Sequence, residues 1–222
     1  MRKLMIGLGV VAAALIASRV SASIVGYPIS GSKHDFKTTG YTGDGGTFVG
    51  HNKCGTCHAA HKVKKVSPLW GRDNPTATGW IVWNGQDAGQ ALDGTENTAE
   101  FLSAAELTGT GTGMCMSCHD GQTAIGTYKD ATGTSVPVYM RAAYRGTWGR
   151  ALADMHPVGH VVPFGAPGWK ADLAAGNAAS GSNVATEARG SVGCTSCHSM
   201  HSSSPSGKIL RAGERCLSCH DK

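Results

Sequence analysis

The sequence predicts a mostly irregular chain with few short α-helices and little or no β-sheet, wrapped around something other than its own side chains. Three observations lead there. Of 222 residues 32 are glycine and only 6 % are aromatic, which is little bulk to offset the entropy of ordering so much backbone. The eight cysteines all fall in four C-x-x-C-H units: "CGTCH" from Cys54, "CMSCH" from Cys115, "CTSCH" from Cys194 and "CLSCH" from Cys216. Between the units run long segments rich in turn formers, with one clear helical pattern. Chains of this kind rely on disulfides, metals or cofactors as staples.

The histidine after each second cysteine decides which staple. A disulfide framework suits an exported chain with an even cysteine count, but it gives no reason for four such histidines. Structural zinc uses paired C-x-x-C units without needing the adjacent histidine. A thioredoxin-like pair needs one motif in a βαβ setting, where this chain has four in loops. Covalent haem attachment accounts for every position. Two thiols three apart share one side of a helical turn and can add to the two vinyl groups on one porphyrin edge. The next residue is carried beneath the ring, where its imidazole ligates iron. The expected cofactor is therefore haem c, four per chain, held by Cys54, Cys57, Cys115, Cys118, Cys194, Cys197, Cys216 and Cys219. The proximal ligands are His58, His119, His198 and His220.

Taken in order, the chain opens on a basic start (Arg2, Lys3) and the apolar run "LMIGLGVVAAALIA" of 14 residues, followed by Val20-Ser21-Ala22. That run is short for a membrane span and reads as a secretory signal over residues 1–22. The mature chain, residues 23–222, is expected to be one tetrahaem domain with no membrane span. Removing the signal takes away Arg2, Lys3 and Arg19, leaving 20 − 3 = 17 basic against 15 acidic side chains. A balance so close to neutral gives no support to a nucleic-acid partner.

His34, in "SGSKHDF", and His156, in "ADMHPVGH", are candidate sixth ligands, with Asp35 and Asp154 near enough in sequence to orient their rings. His61 and His201 each stand three residues past a proximal histidine. Residues three apart on a helix share a face, so His201 cannot reach the far side of the ring that His198 ligates. It is left with the iron of a different haem, or with a structural role, and the same holds for His61. His51 and His160 are spare, and His160 can replace His156. Met114, Met116, Met155 and Met200 are alternative ligands that would raise the potential.

Among the connections, "HKVKKV" (Lys62, Lys64, Lys65) is a basic run suited to a solvated face or to haem propionates. Trp70, Trp80 and Trp83 suit either core packing or porphyrin edges. "ENTAEFLSAAELTG" (Glu96–Gly109) predicts a helix capped by Asn97, with Glu100 at the capping-box position and Gly109 at its end. Phe101, Leu102 and Leu107 would cover a haem face or pack as ordinary core. "KADLAAGNAASGSNVATEARGS" (Lys170–Ser191) predicts a long surface loop ahead of a C-terminal two-haem module at about 192–222.

Together "SKHDF", "CGTCHAAH", "CMSCHDG", "HPVG" and "CTSCHSMH…ILRAGERCLSCH" resemble the multihaem c-type cytochromes with doubled C-x-x-C-H motifs, in matching order along most of the mature chain. The resemblance implies distal ligation by the histidines of the SKHD, CHxxH and HPV elements, here His34, His61, His156 and His201. With the secretory signal, the set is also similar to extracellular tetrahaem cytochromes that polymerise into conductive filaments, of the outer-surface cytochrome E type. That likeness implies head-to-tail self-association, with a histidine of one subunit ligating a haem of the next. The expected function is electron transfer through bis-histidine haems and no enzymatic activity. The protein is expected to be secreted and to lie outside the cell or on its surface. Its other partners would be redox proteins or extracellular acceptors. The alternatives are a monomeric periplasmic shuttle and, further off, a nitrite or hydroxylamine reductase with an open haem.

Overall fold

Regular structure is short and scattered: isolated helical turns and small hairpins joined by coil, since a single turn is costly to nucleate without packing. The computed structural model describes residues 29, 34–37, 40–43, 46–48, 54–59, 61, 69–73, 75, 80, 82, 101–141, 152, 158–182, 184–201, 209–211, 213 and 215–221. The signal, His51, the Lys62–Lys65 run, Trp83, Asn97, Glu100, Asp154, Met155 and His156 lie outside these residues.

Two antiparallel hairpins come first and third. Strands β1 (Tyr41–Gly43) and β2 (Gly46–Phe48) form one; β3 (Gly126–Lys129) and β4 (Ser135–Val138) form the other. The second is turned by Asp130, whose carboxylate accepts from Thr132 N, Thr132 Oγ1 and Thr134 N, while Gly133 takes a φ of +81°. Ile125, Val138 and Met140 bury one face, and Tyr41 and Cys118 pack against them. The described chain is thus mostly coil, with short helices and two small two-stranded sheets.

Between the hairpins lie helices α1 (Ala104–Thr108) and α2 (Gly111–His119). The helix expected from Asn97 is corrected here: Phe101 to Ser103 are not helical. Leu102 N instead donates to Gly159 O at 2.9 Å, and Phe101 forms a bridge with His160. The capping box falls on Ser103 and Glu106, where Ser103 Oγ accepts from Glu106 N and Glu106 Oε2 accepts from Ser103 N. Gly109 ends α1 as expected. Leu102 and Leu107 join Trp80, Met116, Leu152 and Val158 in the larger apolar cluster, so they are ordinary core.

The loop expected over Lys170–Ser191 is also corrected. Residues Leu173–Ser180 form helix α3. Asp172 caps it by accepting from Ala175 N at 2.6 Å, and Gly181 leaves it at φ +64°. A 3-10 turn, Ala188–Gly190, leads into helix α4, Cys194–Cys197, and a last 3-10 turn spans Cys216–Ser218. No helix among the described residues is long and apolar enough to cross a membrane.

Arg72 ties the first motif region to the second. Its guanidinium donates to Ile125 O at 2.8 Å, Ala124 O at 2.7 Å and Ser117 O at 3.2 Å. Arg72→Ala strands these three carbonyls, so urea unfolding should show a loss of about 2–4 kcal/mol.

Candidate haem-attachment sites

All four motifs are wound so that both thiols and the histidine belong to one turn. His58 N donates to Cys54 O at 2.8 Å, His198 N to Cys194 O at 3.0 Å and His220 N to Cys216 O at 2.9 Å. The second motif does the same inside α2, which ends on His119. None of the eight cysteines forms a disulfide. Among the described residues no three His, Cys, Asp or Glu converge on a point, which a structural zinc site would require.

A recurring clamp holds three of the motif histidines. His58 bridges Trp70, His198 bridges Leu210 and His220 bridges Trp169, all antiparallel. In each case two backbone hydrogen bonds flank the histidine. Ala59 N donates to Leu69 O and Gly71 N to Cys57 O; Ser199 N to Ile209 O and Arg211 N to Cys197 O; Asp221 N to Gly168 O and Lys170 N to Cys219 O. The residue before each bridging partner has positive φ: Leu69 at 60°, Ile209 at 49° and Gly168 at 83°. For Leu and Ile this is a strained conformation, and its recurrence at the same place marks it as part of the clamp. The ring of Trp70 meets His58 edge-on at 5.9 Å, and Trp169 lies 4.5 Å from His220.

The thiols follow one another in chain order. Cys118 lies near enough to Cys57 to oppose its ionisation. Cys115 and Cys194 share a hydrogen bond, and Cys197 neighbours Cys216 and Cys219. Burial, then Cys118, pushes the Cys57 thiol up to about 11. The hydrogen bond with Cys194, then burial, holds Cys115 well above the usual thiol range, while the same bond lowers Cys194.

Two pairs of imidazoles lie at nearly the same ring separation, with tilts of 40° and 30°. His34 and His119 have ring centres 6.1 Å apart, and His58 and His201 are 6.0 Å apart. An imidazole nitrogen sits about 2 Å from a transition metal it ligates and about 1.1 Å from its ring centre. Rings on opposite sides of one iron are therefore about 6.2 Å apart. Both gaps fit an iron. His201 thus faces His58, across a long stretch of sequence, and not the His198 of its own motif. His34 is half-buried, Asp35 beside it is fully buried, and desolvation followed by the nearby His119 and His198 lowers the His34 pKa to about 4. Its lone pair is accordingly free of a proton at neutral pH. Trp70 Nε1, next to His58, is a buried donor with no hydrogen-bond partner, the kind of group that an acidic ligand such as a propionate satisfies.

Other sequence candidates are placed elsewhere or not at all. His61 is exposed. His160 stacks on Phe101 at 4.8 Å and touches Trp169 at 6.2 Å, so a tryptophan stands between it and His220. Met116 belongs to the core. Sequence reasoning missed Arg72, the clamp and Glu187, although the equal spacing of His58 to Trp70 and His198 to Leu210 was readable.

Residues 187–222 match the family described as a doubled CXXCH motif. This is the signature of multihaem c-type cytochromes, and it points to covalently bound haem c and electron transfer. The matched segment holds the third and fourth units, and the same unit recurs at Cys54 and Cys115. No curated protein and no solved structure matches the chain.

Proposed function

We propose that the chain conducts electrons along four covalently attached c-type haems, one at each C-x-x-C-H unit, and that it catalyses no reaction. The observation that carries this reading is two imidazole pairs, His58 with His201 and His34 with His119, at ring separations of 6.0 and 6.1 Å that match two ligands of one iron. When bound, each haem supplies a one-electron ferric/ferrous couple. Histidines of the chain would hold each iron and keep water or a small substrate from it. His198 and His220 would hold the other two irons, together with His61 and His156. Adjacent thiols, Cys57 by Cys118, Cys115 by Cys194 and Cys197 by Cys216, support an electron path that follows chain order.

The assembly we favour is an extracellular filament of subunits joined head to tail, handing charge to redox proteins or external acceptors. Its support is the order of motifs and the secretory signal read from the sequence. A contact of that type that fails to close generates an open polymer. Electron microscopy and size-exclusion of the secreted protein test it, and a small species independent of concentration would leave the periplasmic shuttle instead. Carbon monoxide tests the ligation: the reduced protein should not bind it at native pH. A large spectral change would favour a reductase with an open site.

A further inference from the structure

We propose that Glu187 lowers the reduction potentials of the two central haems, those at Cys115/Cys118 and Cys194/Cys197; this rests on the haem reading above. Its carboxylate sits between α2 and α4, the helices that carry Cys115 and Cys194. Glu187 Oε2 accepts from Thr112 N at 3.1 Å, and Oε1 accepts from Thr112 Oγ1 at 3.1 Å, Thr195 N at 3.3 Å and Thr195 Oγ1 at 2.7 Å. Thr112 Oγ1 in turn accepts from Cys194 N at 2.9 Å. All four of these hydrogen bonds are donated to the carboxylate, whose two oxygens serve as acceptors.

Room for this carboxylate is built into the two attachment turns. A Cβ at Gly193 would overlap it, and one at Gly111 would press on Thr195 and reach within 3.0 Å of Oε1. The φ of Gly193, −150°, is open to any residue, so glycine stands there for space and not for conformation. Thr195 lies between the two cysteines of the third motif, and Thr112 lies three residues before the first cysteine of the second. Glu187 is among the charges acting on Cys115 and Cys194, the first cysteine of each central unit. Its hydrogen-bond partners among the described residues are all neutral, so no cation in them cancels its charge.

Reduction adds one electron and removes one unit of positive charge from an iron. A fixed anion beside the site favours the ferric form and lowers the potential. Because the carboxylate touches the turns of both central sites, it acts on those two together and on the outer pair less.

Potentiometric titration of the haem-loaded protein tests this. In Glu187→Gln and Glu187→Ala, two of four transitions should move up by at least about tenfold in the reduced-to-oxidised ratio at fixed poise, ~59 mV for one electron. The other two should move much less. Thr112→Ala removes two hydrogen bonds while keeping the charge, so it should lower the unfolding midpoint and leave all potentials in place. Glu187→Asp should likewise keep the potentials. Should the charge-free variants load four haems with unchanged potentials, or should Thr112→Ala shift them equally, the inference is overturned. A wild-type protein without haem overturns the underlying reading instead.

Discussion

His201→Ala is expected to leave one of four haems with a single axial imidazole, so that one quarter of the haem becomes high-spin and binds carbon monoxide while the rest stays low-spin. His201 faces His58 at 6.0 Å with the ring planes 30° apart, and it belongs to the third motif while His58 belongs to the first. With iron between them, the pair would cross-link distant parts of the chain. Its loss should also lower the unfolding midpoint, because the bound metal stabilises only the folded state that brings the two rings together. His34→Ala should act in the same way on the site of His119. Electron paramagnetic resonance reads the outcome. Four unchanged low-spin signals in His201→Ala would mean that the facing rings do not share an iron.

Gly176→Ala is expected to destabilise the fold by about 3 kcal/mol, at the upper end of what overpacking costs. The added Cβ would overlap the Ser218 carbonyl, in the middle of the fourth attachment turn. Backbone meets backbone here, so no flexible side chain can yield. Ser180 Oγ and Ser218 Oγ, 2.9 Å apart, hold the same contact one turn further on. Haem occupancy at Cys216 and Cys219 should fall along with stability. Gly168→Ala makes the contrast: Gly168 has a φ of +83° with nothing near its Cβ, so only backbone strain applies, about 1 kcal/mol. Urea titrations compare the two, and a smaller loss at Gly176 than at Gly168 would contradict the close approach.

These contacts explain what sequence could and could not reveal. The attachment turns were legible because covalent chemistry fixes residue type and spacing together. A shared helix face would send His201 to a site other than its own, yet the helix stops at Cys197 and His198 is extended; what brings His201 beside His58 is tertiary structure. Helix α3 was missed, although Asp172 and Gly181 are ordinary capping signals. Its buried residue is a glycine, so packing leaves no apolar stripe in the sequence. Helix α1 was set too early because hydrogen bonding to Gly159 draws Leu102 into an extended segment, and no local pattern carries that information. The β3–β4 turn, "DATGT", held a readable hairpin cue in Asp130 and Gly133. Leu69 and Ile209 carried none, since neither residue favours positive φ. Glu187 meets Thr112 across 75 positions, a contact that only tertiary structure discloses.

Intact-mass spectrometry of the purified protein reads directly whether four iron porphyrins are bonded to this polypeptide. The expected mass is that of the chain plus four haems, with all eight thiols consumed. A bare chain, with those thiols free or joined in disulfides, would contradict it.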